Sequence, residues 1–292
     1  MKKTLIALAL ASAMGTAAAD VTVYGSVEQA LTNTDNGTTN SWDVTSDDQY
    51  IGVKASEDLG NGLAAFAKIS FDVNSEGANS PTTKDSFVGL KGGFGSVQVG
   101  RMYGVQQSVG DNLIDIFEGN SIDVTNNGRL TNAVAYTTPN MSGLSGTVGV
   151  VIDGAAGEDT SDAVVYAVSY ANGPMTAMAS YQDDKANNDQ TTLYGASVVL
   201  GDFTVGGAFE TVENNDGTAD VDTTSVVATY ALGNNTLKVG AQRPDEGNDV
   251  NAYEVAHAFS KNTTGYVNYQ TSSPVNGSVD TDTFQVGLRM NF

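Results

Sequence analysis

The chain has 292 residues, a formal net charge of −21, 33 glycines, 12 tyrosines and no cysteine. So acidic a balance argues against nucleic acid as a partner, because phosphate binding needs clustered Lys and Arg. Without cysteine there are no disulfide staples, so stability must come from backbone pairing and closure.

In chain order, residues 1–19 read as an export signal. Lys2 and Lys3 give a positive start, Thr4 to Met14 a short apolar run, and Ala17-Ala18-Ala19 the small residues a signal peptidase requires. The apolar run is shorter than the roughly 20 residues that a spanning helix needs. Cleavage before Asp20 leaves residues 20–292 as one domain, and the loss of two lysines makes it more acidic still.

From Asp20 onward the chain alternates apolar and polar residues in about sixteen segments of roughly 8–12 residues, the length of a tilted membrane strand. The first, Val21 to Leu31, sets Val21, Val23 and Val27 against Thr22, Tyr24, Ser26 and Glu28. The second sets Ile51, Val53 and Ala55 against Tyr50, Gly52 and Lys54, and the third sets Ala65, Ala67, Ile69 and Phe71 against Phe66, Lys68, Ser70 and Asp72. The last places Phe284, Val286, Leu288, Met290 and Phe292 on one face and Gln285, Gly287, Arg289 and Asn291 on the other. In a soluble sandwich the apolar face would meet a second sheet; in an outer-membrane barrel it meets lipid while the polar face lines water.

Connections alternate between two kinds. Short Gly/Asn/Asp turns lie at Asp58–Gly62, Gly93–Gly95, Pro139–Gly143, Asn172–Gly173, Gly201–Asp202, Gly233–Asn235 and Lys261–Thr263. Longer acidic connections, including Asn33–Trp42, Asn74–Lys84 and Asp153–Ser161, fall between them. Strict alternation of this kind predicts an all-β, antiparallel up-and-down transmembrane barrel of about 16 strands. Fourteen strands would change its width and not its class. The longest connection, Gly104 to Leu130, joins an apolar run, Leu113-Ile-Asp-Ile-Phe117, to the acids Asp111, Asp115, Glu118 and Asp123. It reads either as a loop folded into the lumen or as a mobile surface loop.

Several segments together resemble the general diffusion porins of Gram-negative outer membranes. They are Val21-Thr-Val-Tyr-Gly25, Gly52–Gly62, the stretch Val88 to Gly104, Arg129–Tyr136 and the terminal Phe292. The resemblance spans 20–292 and implies a sixteen-stranded outer-membrane barrel, usually a homotrimer, among outer-membrane lipids and lipopolysaccharide. Its third long loop, here Gly104–Leu130, would fold inward as a constriction. Phe292 resembles the signal read by the barrel-assembly machinery. Asp111, Asp115 and Glu118 would face wall bases, with Arg101 and Arg129 matching two of the wall arginines. Tyr50 stands where the family commonly has a third arginine, so Lys54 and Lys68 are expected to complete a thinner basic cluster. Arg101 shares parity with Val97 and Val99, so it faces the lumen only if a bulge lies near Gly100.

The function these features predict is passive diffusion of ions and small hydrophilic solutes, with a preference for cations set by the acidic loops and few wall bases. The rivals are a substrate-selective porin and a plugged structural or adhesive barrel. No catalytic residue, cofactor or metal site is read. His257 is the one histidine, falls on the outward parity of Tyr253, Val255 and Phe259, and has no orienting partner in the sequence pattern. The acidic loops lack ordered calcium-loop spacing.

Overall fold

The computed structural model describes residues 19–73, 81–119, 122–124, 128–152, 161–185, 189–214, 218–275, 277 and 279–292. The export-signal reading therefore lies outside the described residues, Ala19 apart. The chain forms strands β1 (Asp20–Asp35), β2 (Asn40–Thr45), β3 (Tyr50–Gly60), β4 (Leu63–Asp72), β5 (Thr82–Gly92) and β6 (Gly95–Tyr103). After helix α1 (Val105–Leu113) come β7 (Arg129–Thr137), β8 (Leu144–Val151), β9 (Ala163–Asn172), β10 (Met175–Asp184), β11 (Asp189–Leu200) and β12 (Phe203–Asn214). The last five are β13 (Val221–Leu232), β14 (Asn235–Pro244), β15 (Asn248–Ser260), β16 (Thr263–Pro274) and β17 (Thr281–Asn291).

All pairings are antiparallel, all but β1–β3 and the closing pair join neighbours in sequence, and β17 returns to pair with β1 over Ser26–Asp35, which closes the ring. β2 and β3 share one place in it. β1 pairs with β2 through Ala30–Asp35 and with β3 through Asp20–Ser26, so the second wall strand is broken at Ser46–Gln49. Counting that broken strand once, the wall has sixteen positions, in agreement with the strand number read from the sequence. Between Ser26 and Ala30 the ladder on this side skips three residues of β1.

The seven short turns fall where expected, with left-handed backbone at Gly62, Gly143, Gly173, Gly201 and Gly233. One long connection is overturned. Asn33–Trp42 reads as a loop from its Asn, Asp and Thr content, but the strands run on through it. Asn36 folds the chain back by accepting from the N–H groups of Thr38 and Thr39 at 3.1 and 2.8 Å, and Asn33 reaches across to Asn40 at 2.7 Å. Side-chain amides here cap a hairpin rather than interrupt it.

Alternation along the strands sorts the side chains as the sequence pattern requires. Val23, Leu31, Val88, Tyr194, Val226, Tyr253 and Leu288 stay exposed on the outer face, where a lipid environment removes the cost. On the inner face, aromatic rings lie over glycines of the next strand. Tyr266 pairs with Gly287 across β16 and β17, and a Cβ on Gly287 would fall 2.2 Å from the ring. The missing side chain lets the Tyr266 hydroxyl cross β17 and donate to Glu28 of β1 at 2.6 Å. A Gly287→Ala barrel is expected to lose about 1–3 kcal/mol through this overpacking. The midpoint of urea unfolding of the folded protein reads it; an unchanged midpoint would show that the ring has room to move.

Candidate functional site

Helix α1 opens the long connection after β6. Val105, Val109 and Leu113 repeat every four residues and so share one face, with Val109 and Leu113 buried. The sequence pattern shows no helix here because nine residues with Gly110 inside them carry weak propensity; packing supplies the rest. Gly110 lies against Val124, and Val109, Leu113, Ile114, Phe117, Ile122 and Val124 form a cluster with Leu193, Ala208, Val227, Val250 and Ala252 of β11, β12, β13 and β15. The expectation that Leu113–Phe117 can pack is met: Leu113, Ile114 and Phe117 are buried, and Ile116 packs against the cluster.

Beyond this cluster the chain is fixed by polar contacts. The Glu254 carboxylate accepts the backbone N–H groups of Glu118, at 3.0 Å, and Gly119, at 3.2 Å. Glu118 itself reaches Lys238 at 3.2 Å and Arg289 at 2.7 Å. Tyr103 donates its hydroxyl to Asp111 on α1.

Beside the Glu118 side chain lies a cavity of about 400 Å³ lined by six carboxylates and four cations: Asp47, Asp48, Asp85, Asp115, Glu118 and Asp123 against Lys68, Lys84, Arg129 and Arg289. Asp85 is fully buried and gathers two of the bases, Lys68 at 2.7 Å and Arg129 at 3.1 Å, with the Ser70 hydroxyl at 3.1 Å. Lys84 pairs with Asp48 and Asp72 and stands 4.8 Å from the centroid of the Tyr50 ring. The Arg129 guanidinium lies 5.0 Å from that of Tyr103. Asp115 lines the cavity and is exposed there, but the dense protein around it and the carboxylates Asp123 and Asp111 push its carboxyl up to about 7. Among the described residues no three acidic or histidine side chains converge to hold a metal.

The structure thus brings Tyr50, Lys68, Arg129, Asp115 and Glu118 of the expected residues to one cavity, with Asp111 just behind on α1. Arg101 and Lys54 are not among its lining. The bulge near Gly100 exists, since the β6–β7 register slips between Gly100 and Met102. It shifts the partner strand and leaves Arg101 opposite Ser86, on the parity of exposed Val99. There the guanidinium is taken up by the carbonyls of Thr83 and Lys84 and the hydroxyl of Thr131. Lys54 is exposed and stands 5.6 Å from the Tyr24 ring centroid. His257 lies on the outward face, bonded to Asn235 at 2.8 Å and edge-on to Phe259. Phe292 continues the ring, exchanging backbone hydrogen bonds with Gly25 at 3.0 Å.

Five charged contributors escaped the sequence reading, Asp85 among them because its place between Lys68 and Arg129 depends on register. Arg289 carries a signal, as the one base on the polar parity of the last strand. Asp47 and Asp48 sit in the break of the second wall strand, and Lys84 lies in a segment that reads as loop; neither break nor strand start is visible in the pattern.

Comparison with known proteins adds the family. The family model described as "Gram-negative porin" matches residues 4–277. The chain is 35% identical over 188 residues to the major outer membrane protein P.IB of Neisseria meningitidis serogroup B, covering 59% of this chain and 56% of that protein. It is also 35% identical over 165 residues to P.IB of Neisseria lactamica, covering 51% of this chain and 49% of that protein. The chain thus spans about half the length of these curated relatives. Among solved structures, an anion-selective porin from Comamonas acidovorans superposes with a TM-score of 0.78 at 21% identity, over 94% of this chain and 100% of that one. The trimer form of OmpT, an outer membrane protein of Vibrio cholerae, gives 0.74 at 16% identity, over 94% and 100%. At such identities the likeness carries the fold, while the family rests on the sequence match. The chain belongs to the Gram-negative porins.

Proposed function

We propose that this barrel is a water-filled channel for passive diffusion of ions and small hydrophilic solutes, narrowed by the segment between β6 and β7 and preferring cations. As a Gram-negative porin the chain resides in the outer membrane. The observation that carries the reading is the charged cavity. It is bounded on one side by Tyr50, Lys68, Lys84 and Arg129 of the wall, and on the other by Asp115, Glu118 and Asp123 of the long connection. Support for an inward course comes from the contacts of that connection, which go to Leu193, Ala208, Val227, Lys238 and Glu254. Their neighbours along the same strands, Tyr194, Val226, Val239 and Tyr253, point the other way and are exposed. About sixteen strands enclose a lumen that wall side chains alone do not fill, which leaves room for both the segment and water.

Ion preference follows from the charge count. Four cations face six carboxylates, and two of those cations, Lys68 and Arg129, are engaged by the buried Asp85. In a narrow aqueous gap with low-dielectric walls the surplus negative charge concentrates cations. The Comamonas acidovorans neighbour in fold is an anion-selective porin, so preference belongs to the side chains and not to the barrel. We further infer a homotrimer, since OmpT of Vibrio cholerae, which shares the fold, has a trimer form. The single histidine, on the outer face against Phe259, lies apart from the cavity, in keeping with transport rather than catalysis.

Purified, folded protein in a planar bilayer under a KCl gradient should give stepwise currents with a reversal potential favouring potassium. Silence, or a potential favouring chloride, would overturn the channel or the charge argument respectively. Replacing Asp111, Asp115 and Glu118 together with Asn, Asn and Gln should weaken that preference; unchanged selectivity would remove the segment from the narrow point. The state of Asp115 sets a pH dependence. A carboxyl with a pKa of about 7 loses its charge as pH falls, so potassium preference should be stronger at pH 8 than at pH 6. Asp115→Asn should flatten the difference, and a variant that kept it would assign the titration elsewhere.

A further inference from the structure

Arg289 of β17 lies directly opposite Glu28 of β1 in the pairing that closes the ring. Glu28 is wholly buried, and a buried carboxylate is tolerable only with partners that replace its water. Arg289 Nε and Nη2 both lie 2.6 Å from Glu28, and the Tyr266 hydroxyl supplies a further donor. A guanidinium has five donors in a planar fork, so it can hold a second acceptor without leaving the first. Here the second is Glu118, whose carboxylate lies 2.7 Å from Nη1 and whose backbone carbonyl accepts from Nη2 at 3.1 Å.

The chain of charges continues. Lys238 bridges Glu118, at 3.2 Å, and Glu254, at 2.8 Å, and Glu254 accepts the N–H groups of Glu118 and Gly119. Glu28, Arg289, Glu118, Lys238 and Glu254 thus alternate in sign from β1, through the segment after α1, to β15. Gly119 is what permits the approach: a Cβ there would lie 2.4 Å from Gln285 Oε1 and 3.2 Å from Asn268 Cγ. The two ends are not equivalent. If Glu118 is removed, Arg289 keeps Glu28 and Lys238 keeps Glu254. If Glu28 is removed, Arg289 loses the carboxylate that holds Nε and Nη2 and with it the contact that fixes the plane of the guanidinium that holds Glu118.

We propose that Arg289 is a positioning residue coupling closure of the β1–β17 seam to the seating of residues 114–119, so that the passage reaches its narrow form only in a closed ring. Glu28 is the remote member of this coupling; it is absent from the lining of the cavity. The proposal rests on the reading of the long connection as the narrowing element, and the test separates the two.

Full-length E28Q, E118Q, E28Q/E118Q and R289K are prepared, and folding is checked by the shift between unheated and boiled samples on a denaturing gel. Mean conductance and open-channel noise are then recorded in KCl. These are the informative readouts, since loss of any nearby carboxylate shifts ion preference by electrostatics alone. E28Q and E118Q are each expected to raise conductance and noise, and the double variant to do no more than E118Q, because both act through Arg289. R289K, which keeps the charge and loses the fork, should behave as E118Q. Native currents in folded E28Q and R289K beside noisy E118Q would overturn the coupling and leave the narrowing segment in place. Native currents in E118Q, R289K and the double variant alike would sink the narrowing reading as well. Should E28Q fail to fold, R289K decides by itself.

Discussion

An unpaired peptide N–H or carbonyl in hydrocarbon costs several kcal/mol, and no water is available to relieve it. A sheet that meets lipid must therefore have no edge, and the pairing of Ser26–Asp35 with Asp282–Asn291 is what removes it here. The other features follow in order. Once the ring is closed, alternate side chains are committed to lipid, and Val, Leu and Tyr occupy those positions although each is about half exposed. The remaining side chains face a space too wide to fill, so they are polar except where the long connection packs on them, as at Leu193, Val227 and Val250, and the ionisable ones must find one another or water.

That second requirement shapes the interior. Asp85, Glu28 and Glu254 are buried, and each is surrounded by cations or donors drawn from neighbouring strands and from the long connection. The connection in turn is held by two unlike forces. Its apolar side chains, from Val109 to Phe117 and again at Ile122 and Val124, pack against β11, β12, β13 and β15, which is non-directional and tolerant of small shifts. Between Phe117 and Ile122 it is held by hydrogen bonds to Glu254 and Arg289 that fix Glu118 and Gly119 to definite places. Asp115 lines the cavity from within the apolar stretch, exposed yet crowded by like charge. Its carboxyl, pushed up to about 7, therefore changes charge near neutral pH.

Most of the fold was legible in the sequence because period-two alternation and tight-turn chemistry are local. Val286, Leu288 and Met290 announce their face without reference to any other strand, and Gly201 or Gly233 marks a turn by backbone freedom alone. The candidate site was only half legible, since it depends on register. Lys68 was readable from parity and Arg129 from the family resemblance, but nothing in the chain says that Asp85 lies between them until β4, β5 and β7 are aligned. Arg101 shows the limit in another way. A slip at Gly100 was named as the condition for an inward Arg101, yet which strand it displaces is settled by pairing with β7, and the arginine remained opposite Ser86. The hairpin at Asn36 was missed for a chemical reason, because amide side chains that favour loops can equally stitch two strands together.

The broken second wall strand has a consequence for the barrel as a dynamic object. Between Ser26 and Ala30 the ladder toward β2 and β3 skips Val27, Glu28 and Gln29, while on the other side all three remain paired with β17. Local opening begins where a segment has the fewest backbone bonds to break. The amides of this short stretch are thus a natural starting point for hydrogen exchange, since the other irregularities of the wall are single register slips, as at Gly100. Glu28 sits in the middle of it, so the ionic cluster it anchors lies beside the thinnest part of the hydrogen-bonded fabric, and water entering there would reach the cluster before any other part of the sheet had parted.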